Sequence, residues 1–402
     1  MAVEAPSSAD AAREPVRGDD LQARVLAAAE AARSFADAVD RDARFPRESF
    51  AELRRQQLLG IMVPASMGGG GATLGQVLDI CYALGRACAS TGLIYAMHQV
   101  KMACITRHAG GSHAIERILR RVASEELLLA SSTTEAQAGG NVRVSEAAVA
   151  RDGDHVTLER KATVISYGRD ADGIVTTARR SADSAASDQV LLVLLKPDYS
   201  LEPSHGWDTL GMRGTASEGF MLRARVAADQ ILADPYEKIH VQTMVPHAHL
   251  AWGSVWAGIA AAATARAQGF LRHAARQSGG QLPPGAAHFT QAVSSLRALR
   301  GTLAAALRSY EAVMADGQAC ASLEFQSMIT LLKVQASELA VTTVMAAMRA
   351  CGLSGYRNDS DFSIGRHLRD VLSAPIMINN DRILANLATA SLMTPLPASI
   401  TG

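Results

Sequence analysis

The chain predicts a mostly α, α+β fold in three parts: an amino-terminal helical domain, a middle β-barrel or sandwich, and a carboxy-terminal four-helix bundle. Three observations carry that expectation. Apolar residues recur at three- and four-residue spacing before about residue 126 and again after about residue 237. The stretch between them alternates every second residue, as strands do. A length of 402 residues with 48 % apolar content is ample for several buried cores. The boundaries read as a disordered segment 1–20, a helical domain 21–126, a β domain 127–236, a bundle 237–394 and a tail 395–402 that holds Pro395 and Pro397.

The first helices are amphipathic, one starting at Leu21 and one over Ser49–Leu58 behind Pro46. Gly68 to Gly71 break the pattern, because consecutive glycines pay too much backbone entropy to be helical, and Thr73 then caps a helix over Leu74–Ala87. Further helices read over Thr91–His108 and His113–Ser124. From Leu127 the period changes to two. Asp152, Gly153 and Asp154 make the turn of a hairpin, Gly173–Ala178 and Gln189–Leu195 read as buried strands, and Gly219–Val226 closes the set. Beyond Pro235 the spacing returns to helical, with long helices over Val245–Arg276, Phe289–Ala315 and Leu323–Cys351 and an interruption at Gly279–Gly285.

Composition excludes several functions. Acidic and basic residues balance at 39 each, so no net field draws in nucleic acid or an anionic membrane. Five scattered cysteines, none with CxxC or Cys/His ligand spacing, read as small core residues in a reducing compartment and predict no metal site. The first 20 residues carry five acids and no apolar core, so a cytoplasmic protein is expected. The apolar run Ala251–Ala265 is shorter than the ~20 residues a bilayer crossing needs and reads as a buried helix.

Three segments of the middle third carry the chemistry. They are Ser131 to Asn141, which contains Thr133, Thr134, Gly139 and Gly140; Thr163 to Gly168, which contains Val164, Ile165 and Ser166; and Gly206 to Ser217, which contains Arg213 and Thr215. Hydroxyls on strand-rich segments can hydrogen-bond the edges of a large planar heterocycle lying in a cleft between sheet and helices. In this order and spacing the segments resemble the flavin-contacting motifs of the acyl-CoA dehydrogenase family: Thr-Glu-Pro-x-Ala-Gly-Ser-Asp, Trp-Ile-Thr/Ser and Leu-Gly-x-Arg-Gly-Ser. Gly140 stands in place of the family's serine, and Val164 in place of its tryptophan. The resemblance runs from about Phe45 to Leu392. It implies bound FAD, an acyl-CoA or acyl-carrier-protein thioester as substrate, electron-transfer flavoprotein or O2 as acceptor, and a homodimer or homotetramer. It also implies that Arg276, Arg349, Gly352 and Gly355, from two turns that the family uses across subunits, serve the ADP half, and that His98, Arg213 and Thr215 lie by the substrate.

One feature departs from the family. Arg366 to Asp370 matches the family's Arg-x-x-Arg-Asp, but the segment up to Arg382 lacks the Tyr-Glu-Gly glutamate that removes the substrate's α-proton. Three readings stand. Asp381 is the first choice of base; His98, His247 or His249 is the second. In the third, the protein is a monooxygenase on the same fold, using reduced flavin and O2, with His98 on the cavity helix and Ser166 at the flavin edge. A degenerate member that only binds a thioester also stays open.

Overall fold

The computed structural model describes residues 18–135 and 142–393. The amino-terminal domain is built from α1 (Gly18–Arg41), α2 (Arg47–Arg55), α3 (Leu74–Ala87), α4 (Ala89–Arg107) and α5 (His113–Glu125). Helix α1 starts at Gly18, three residues inside the segment expected to be frayed. Helix α3 matches its predicted bounds because Thr73 and Gln76 form a reciprocal cap: the Thr73 hydroxyl accepts the Gln76 amide, and the Gln76 side chain accepts the Thr73 amide at 2.9 Å. Helix α4 is buried on nearly every side, and Lys101 is its one charged residue before Arg107.

The middle domain holds β1 (Leu129–Ser132), β2 (Ala150–Asp152), β3 (His155–Ile165), β4 (Gly173–Arg179), β5 (Gln189–Leu195), β6 (Tyr199–His205) and β7 (Glu218–Ala227). They form two sheets, a three-stranded one in the order β1-β4-β5 and a four-stranded antiparallel one in the order β2-β3-β7-β6. Among the described residues the arrangement is a pair of sheets, the sandwich form of the expectation. Strand β6 was not legible in the sequence: it is an exposed edge strand carrying Pro203, and an edge tolerates the missing amide. The pairing of β3 with β7 shifts register between Ala162 and Ile165. Such a bulge turns side chains out of the ladder.

The carboxy-terminal part contains α6 (Tyr236–Ile239), α7 (Val245–Gln277), α8 (Ala286–Val313), α9 (Gly317–Ala321), α10 (Leu323–Cys351), α11 (Leu353–Tyr356), α12 (Gly365–Val371), α13 (Ser373–Ile376) and α14 (Asn380–Met393). A π-helical turn, His240–Met244, leads into α7. Helices α7, α8, α10 and α14 pack as the bundle. Helix α10 is long and apolar enough to cross a membrane by composition, yet its faces pack on α7 and α8. Helices α3 and α7 approach closely because Gly85 has no side chain: a Cβ there would lie 2.5 Å from the Val255 carbonyl oxygen. All five cysteines are free and buried.

Candidate active site

A cavity of about 1090 Å³ opens where α4, the two sheets, the π-helical turn, α7, α10 and α14 meet. Its volume lies at the top of the range for a single bound ligand, which leaves room for a planar ring and a second molecule beside it.

One end is lined with hydroxyls. Thr133 and Thr134 follow β1, Val164 and Ser166 leave β3 at the bulge, and Thr215 and Ser217 precede β7. The bulge puts Val164 and Ser166 on the wall and leaves Ile165 fully buried behind it. Ser217 donates to Ser166 at 2.8 Å and contacts Thr215 at 2.8 Å; Thr215 in turn donates to the Met212 carbonyl at 2.9 Å. Tyr167 staples the three segments, its amide donating to the Thr215 carbonyl at 2.8 Å and its hydroxyl to the Leu129 carbonyl at 3.0 Å. The Thr163 hydroxyl is buried with no hydrogen-bond partner among the described residues. An apolar slot with hydroxyl donors along one edge fits a flavin ring, and Val164 supplies a small apolar face where a larger aromatic would cover more of it. Gly139 and Gly140 lie outside the described residues.

The charged side chains on the described cavity wall are basic. Lys101, Arg143, Arg369 and Arg382 line it together with His240 and His249, and no Asp or Glu does so among the described residues. Arg369 is neutralised by Asp40, with guanidinium contacts at 2.5 and 3.0 Å. Burial lowers His240 to about 3 and His249 to about 4, so both rings are neutral at physiological pH.

The structure separates the residues proposed as bases. His249 lines the cavity; its Nδ1 donates to the Ile329 carbonyl at 2.8 Å, and its Nε2 has no hydrogen bond among the described residues. His98 is 0 % exposed and lies behind the wall: its Nε2 donates to the Leu59 carbonyl at 2.9 Å, and its Nδ1 accepts the Leu129 amide at 3.0 Å. Both nitrogens of His98 are therefore committed, Nδ1 joining α4 to β1 and Nε2 joining it to the segment at Leu59, and the ring is a buried strut, not a base or substrate contact. His247 likewise donates to the Thr243 carbonyl and does not line the cavity. Asp381 is corrected too. It sits in the first turn of α14 on the exposed face, while Arg382, Ile383, Asn386 and Leu387 of the same helix face the cavity. The 3.6-residue period of the helix sends neighbouring residues to different faces.

Arg213 also stands off the cavity wall. Its guanidinium donates to the carbonyls of Asp40 at 2.8 Å and Thr209 at 3.0 Å and so holds the loop that presents Thr215. Arg276 and Arg349 are exposed on the bundle, and neither they nor Gly352 and Gly355 line the cavity. Sequence reasoning missed Lys101, His240, Ser217 and Trp252. For Lys101 a signal was there: a lone cation inside a helix otherwise free of charge up to Arg107.

Family models match two parts of the chain: acyl-CoA dehydrogenase, N-terminal domain, over residues 20–126, and acyl-CoA dehydrogenase, C-terminal domain, over residues 250–378. Among curated proteins the chain is 28 % identical over 366 residues to cyclohex-1-ene-1-carbonyl-CoA dehydrogenase of Geobacter metallireducens, covering 87 % of this chain and 90 % of that one. It is 29 % identical over 365 residues to L-evernosamine nitrososynthase of a Micromonospora species, covering 86 % and 83 %. Among solved structures, FMN-bound TdsC from Paenibacillus sp. A11-2 superposes with a TM-score of 0.82 at 18 % identity, over 94 % of this chain and 98 % of that one, a likeness of fold.

Proposed function

The chain belongs to the acyl-CoA dehydrogenase family of flavin-dependent oxidoreductases, and from that premise we propose that it desaturates an acyl thioester between its α and β carbons, with FAD as the flavin and His249 as the base. The observation that carries this reading is the hydrogen bond from His249 Nδ1 to the Ile329 carbonyl. A carbonyl only accepts, so the proton of the neutral ring sits on Nδ1 and the lone pair is left on Nε2.

Burial holds this ring at about 4, the range of an ordinary carboxylate, so Nε2 is unprotonated and ready to accept the α-proton at neutral pH. Thr133, Thr134 and Ser166 would hold the flavin edges, and Ser217 would support Ser166 by donating to it. A bound flavin supplies a two-electron acceptor for the hydride that leaves the β carbon. FAD is favoured over FMN by Arg276 and Arg349, exposed cations that a second copy of the chain could bring to an ADP group, which makes a homodimer or homotetramer part of the proposal. Electrons would then pass to an electron-transfer flavoprotein or to O2.

A second reading, a monooxygenase that takes up reduced flavin and O2, is favoured by the lack of any Asp or Glu among the described cavity-lining residues. Anaerobic mixing of flavin-loaded protein with acyl-CoA thioesters decides between them. The first reading expects the flavin to bleach, about 10²–10⁴-fold more slowly in His249→Gln. Absence of bleaching, with an oxygenated product formed from reduced flavin in air, would transfer the assignment to the second.

A further inference from the structure

Lys101 is a buried cation on the cavity wall with no described carboxylate to match it. It is 4 % exposed, and its Nζ has one hydrogen-bond partner among the described residues, the Met244 sulfur at 3.6 Å. Thioether sulfur is a weak acceptor. No described carboxylate lies within ion-pair distance of it; the other basic side chains of the cavity, Arg143, Arg369 and Arg382, share its sign, and the nearby His240 and His249 are neutral. Burial pushes the ammonium down to about 8, which leaves it mostly charged at neutral pH. In the same wall the Trp252 Nε1 and the Ser327 hydroxyl are also buried without hydrogen-bond partners among the described residues.

A buried ammonium with no counter-ion costs several kcal/mol, a cost that a ligand anion can offset. Position along α4 sets that anion away from the loop that presents Thr215. The loop presenting Thr215 abuts the first turn of α4, where a Cβ on Gly214 would lie 3.0 Å from Ser90. Lys101 lies eleven residues further on, about 16 Å along the axis at 1.5 Å per residue.

We propose that Lys101 binds a carboxylate at the far end of the substrate's acyl chain, so that the preferred substrates are thioesters of dicarboxylic acids. This rests on the thioester reading and names its substrate class. The thioester and its reacting carbons lie toward the hydroxyl end, and the terminal carboxylate takes the ammonium's open donor positions, displacing the weak contact with Met244.

The test pairs acyl groups of equal length in flavin-loaded protein, glutaryl-CoA against pentanoyl-CoA and suberyl-CoA against octanoyl-CoA, with binding read from the flavin spectrum. The expected result is at least about 30-fold tighter binding of one carboxylate-ended thioester, lost in Lys101→Met. Equal binding of both members of each pair, or a preference that survives Lys101→Met, would overturn the proposal while leaving the thioester reading intact. Were no thioester to perturb or bleach the flavin, titration with glutarate and suberate alone would decide: Lys101-dependent binding keeps the anion site and removes the thioester reading, and its absence removes both. Lys101→Met protein without ligand should melt higher than the unaltered chain, since an unmatched charge has gone; a lower melting point would mean the ammonium has a protein partner, and the proposal would fall.

Discussion

The carboxylate of Asp370, at the end of α12, accepts the backbone amide of Met212 at 2.7 Å across 158 residues of sequence. Around that bond, Arg369 donates to the Leu210 carbonyl at 3.2 Å and pairs with Asp40, whose own carbonyl accepts from Arg213. Two motifs that look independent in the sequence, Leu210 to Thr215 and Arg366 to Asp370, are thus the two sides of one joint. That joint sets where Thr215 meets the hydroxyl end of the cavity.

Burial raises the Asp370 carboxyl from 3.8 to about 6, against the opposing pull of the Met212 amide and Arg366. A carboxyl whose folded value is raised holds its proton longer when folded, so its contribution to stability is complete below about 4 and is lost as pH rises through about 6. Asp370→Asn keeps an oxygen acceptor for Met212 and has no charge to bury. The unaltered protein should therefore lose stability relative to Asp370→Asn between pH 4 and 6, by up to about 3 kcal/mol. Denaturant midpoints of both proteins at pH 4.5 and 7 check this; a gap that is the same at the two pH values counts against it.

Gly211 tests the same joint by size. A Cβ at this position would lie 2.0 Å from the Arg369 carbonyl oxygen and 2.7 Å from the Asp370 nitrogen. Those are backbone atoms, so the strain cannot be relieved by rotating a side chain. Gly211→Ala should cost about 1–3 kcal/mol and loosen flavin retention as the Thr215 loop shifts. Retained flavin after gel filtration and the denaturation midpoint should fall together.

The order of helical, strand and helical parts was legible in the sequence because apolar period is a local property. Leu74–Ala87, Gln189–Leu195 and Leu323–Cys351 fall where periodicity places them. The hydroxyl end of the cavity was legible from motif order, since Thr133, Thr134, Ser166 and Thr215 all reach its wall. The base was not. His98, His247 and His249 all sit in apolar helical runs, and only tertiary contacts show that a carbonyl and an amide bracket the first while the third keeps one nitrogen without a partner among the described residues. Asp381 and Arg382 are neighbours whose difference lies in helix phase against α10, which no local pattern specifies.

The bracketing of His98 has a consequence in acid. Burial lowers it from 6.5 to about 4, and the Leu129 amide already occupies the lone pair that a second proton would need. With the folded value depressed, its stabilising contribution is complete above about 6.5 and is lost as pH falls through about 4. His98→Gln should therefore lack about 3 kcal/mol of the acid sensitivity of the unaltered chain over that window. It should also bind flavin normally at pH 7 once folded. Loss of flavin binding in well-folded His98→Gln would return this histidine to the site.

Asp381→Asn should leave the rate of flavin reduction within about twofold of the unaltered protein. Its carboxylate is on the exposed face of α14, and a base must come within about 3 Å of the proton it removes. Stopped-flow bleaching of the two proteins side by side is sufficient. A hundredfold slowing would show that α14 rotates when substrate binds, and His249 would lose its assignment.

The hydroxyl chain makes the last prediction. Ser217 donates to Ser166 at 2.8 Å and Thr215 spends its own proton on the Met212 carbonyl, so the 2.8 Å approach of Ser217 to Thr215 carries no hydrogen bond of its own. With Ser217 donating to Ser166, the proton of Ser166 is free to point into the cavity. Ser217 thus fixes the rotor that presents a donor to the flavin edge, from its place beside Ser166 on the same wall. Ser217→Ala removes that support without touching the backbone and leaves a void no larger than one hydroxyl. The expected loss is one hydrogen bond's worth, about 0.5–1.5 kcal/mol or roughly 2- to 10-fold in flavin affinity, with thermal stability of the flavin-free protein nearly unchanged. Titration of the apoprotein with flavin, followed by fluorescence, measures it. If Ser217→Ala binds flavin as tightly as the unaltered chain, Ser166 is oriented by the flavin itself, and the chain of hydroxyls serves the joint at Met212 alone.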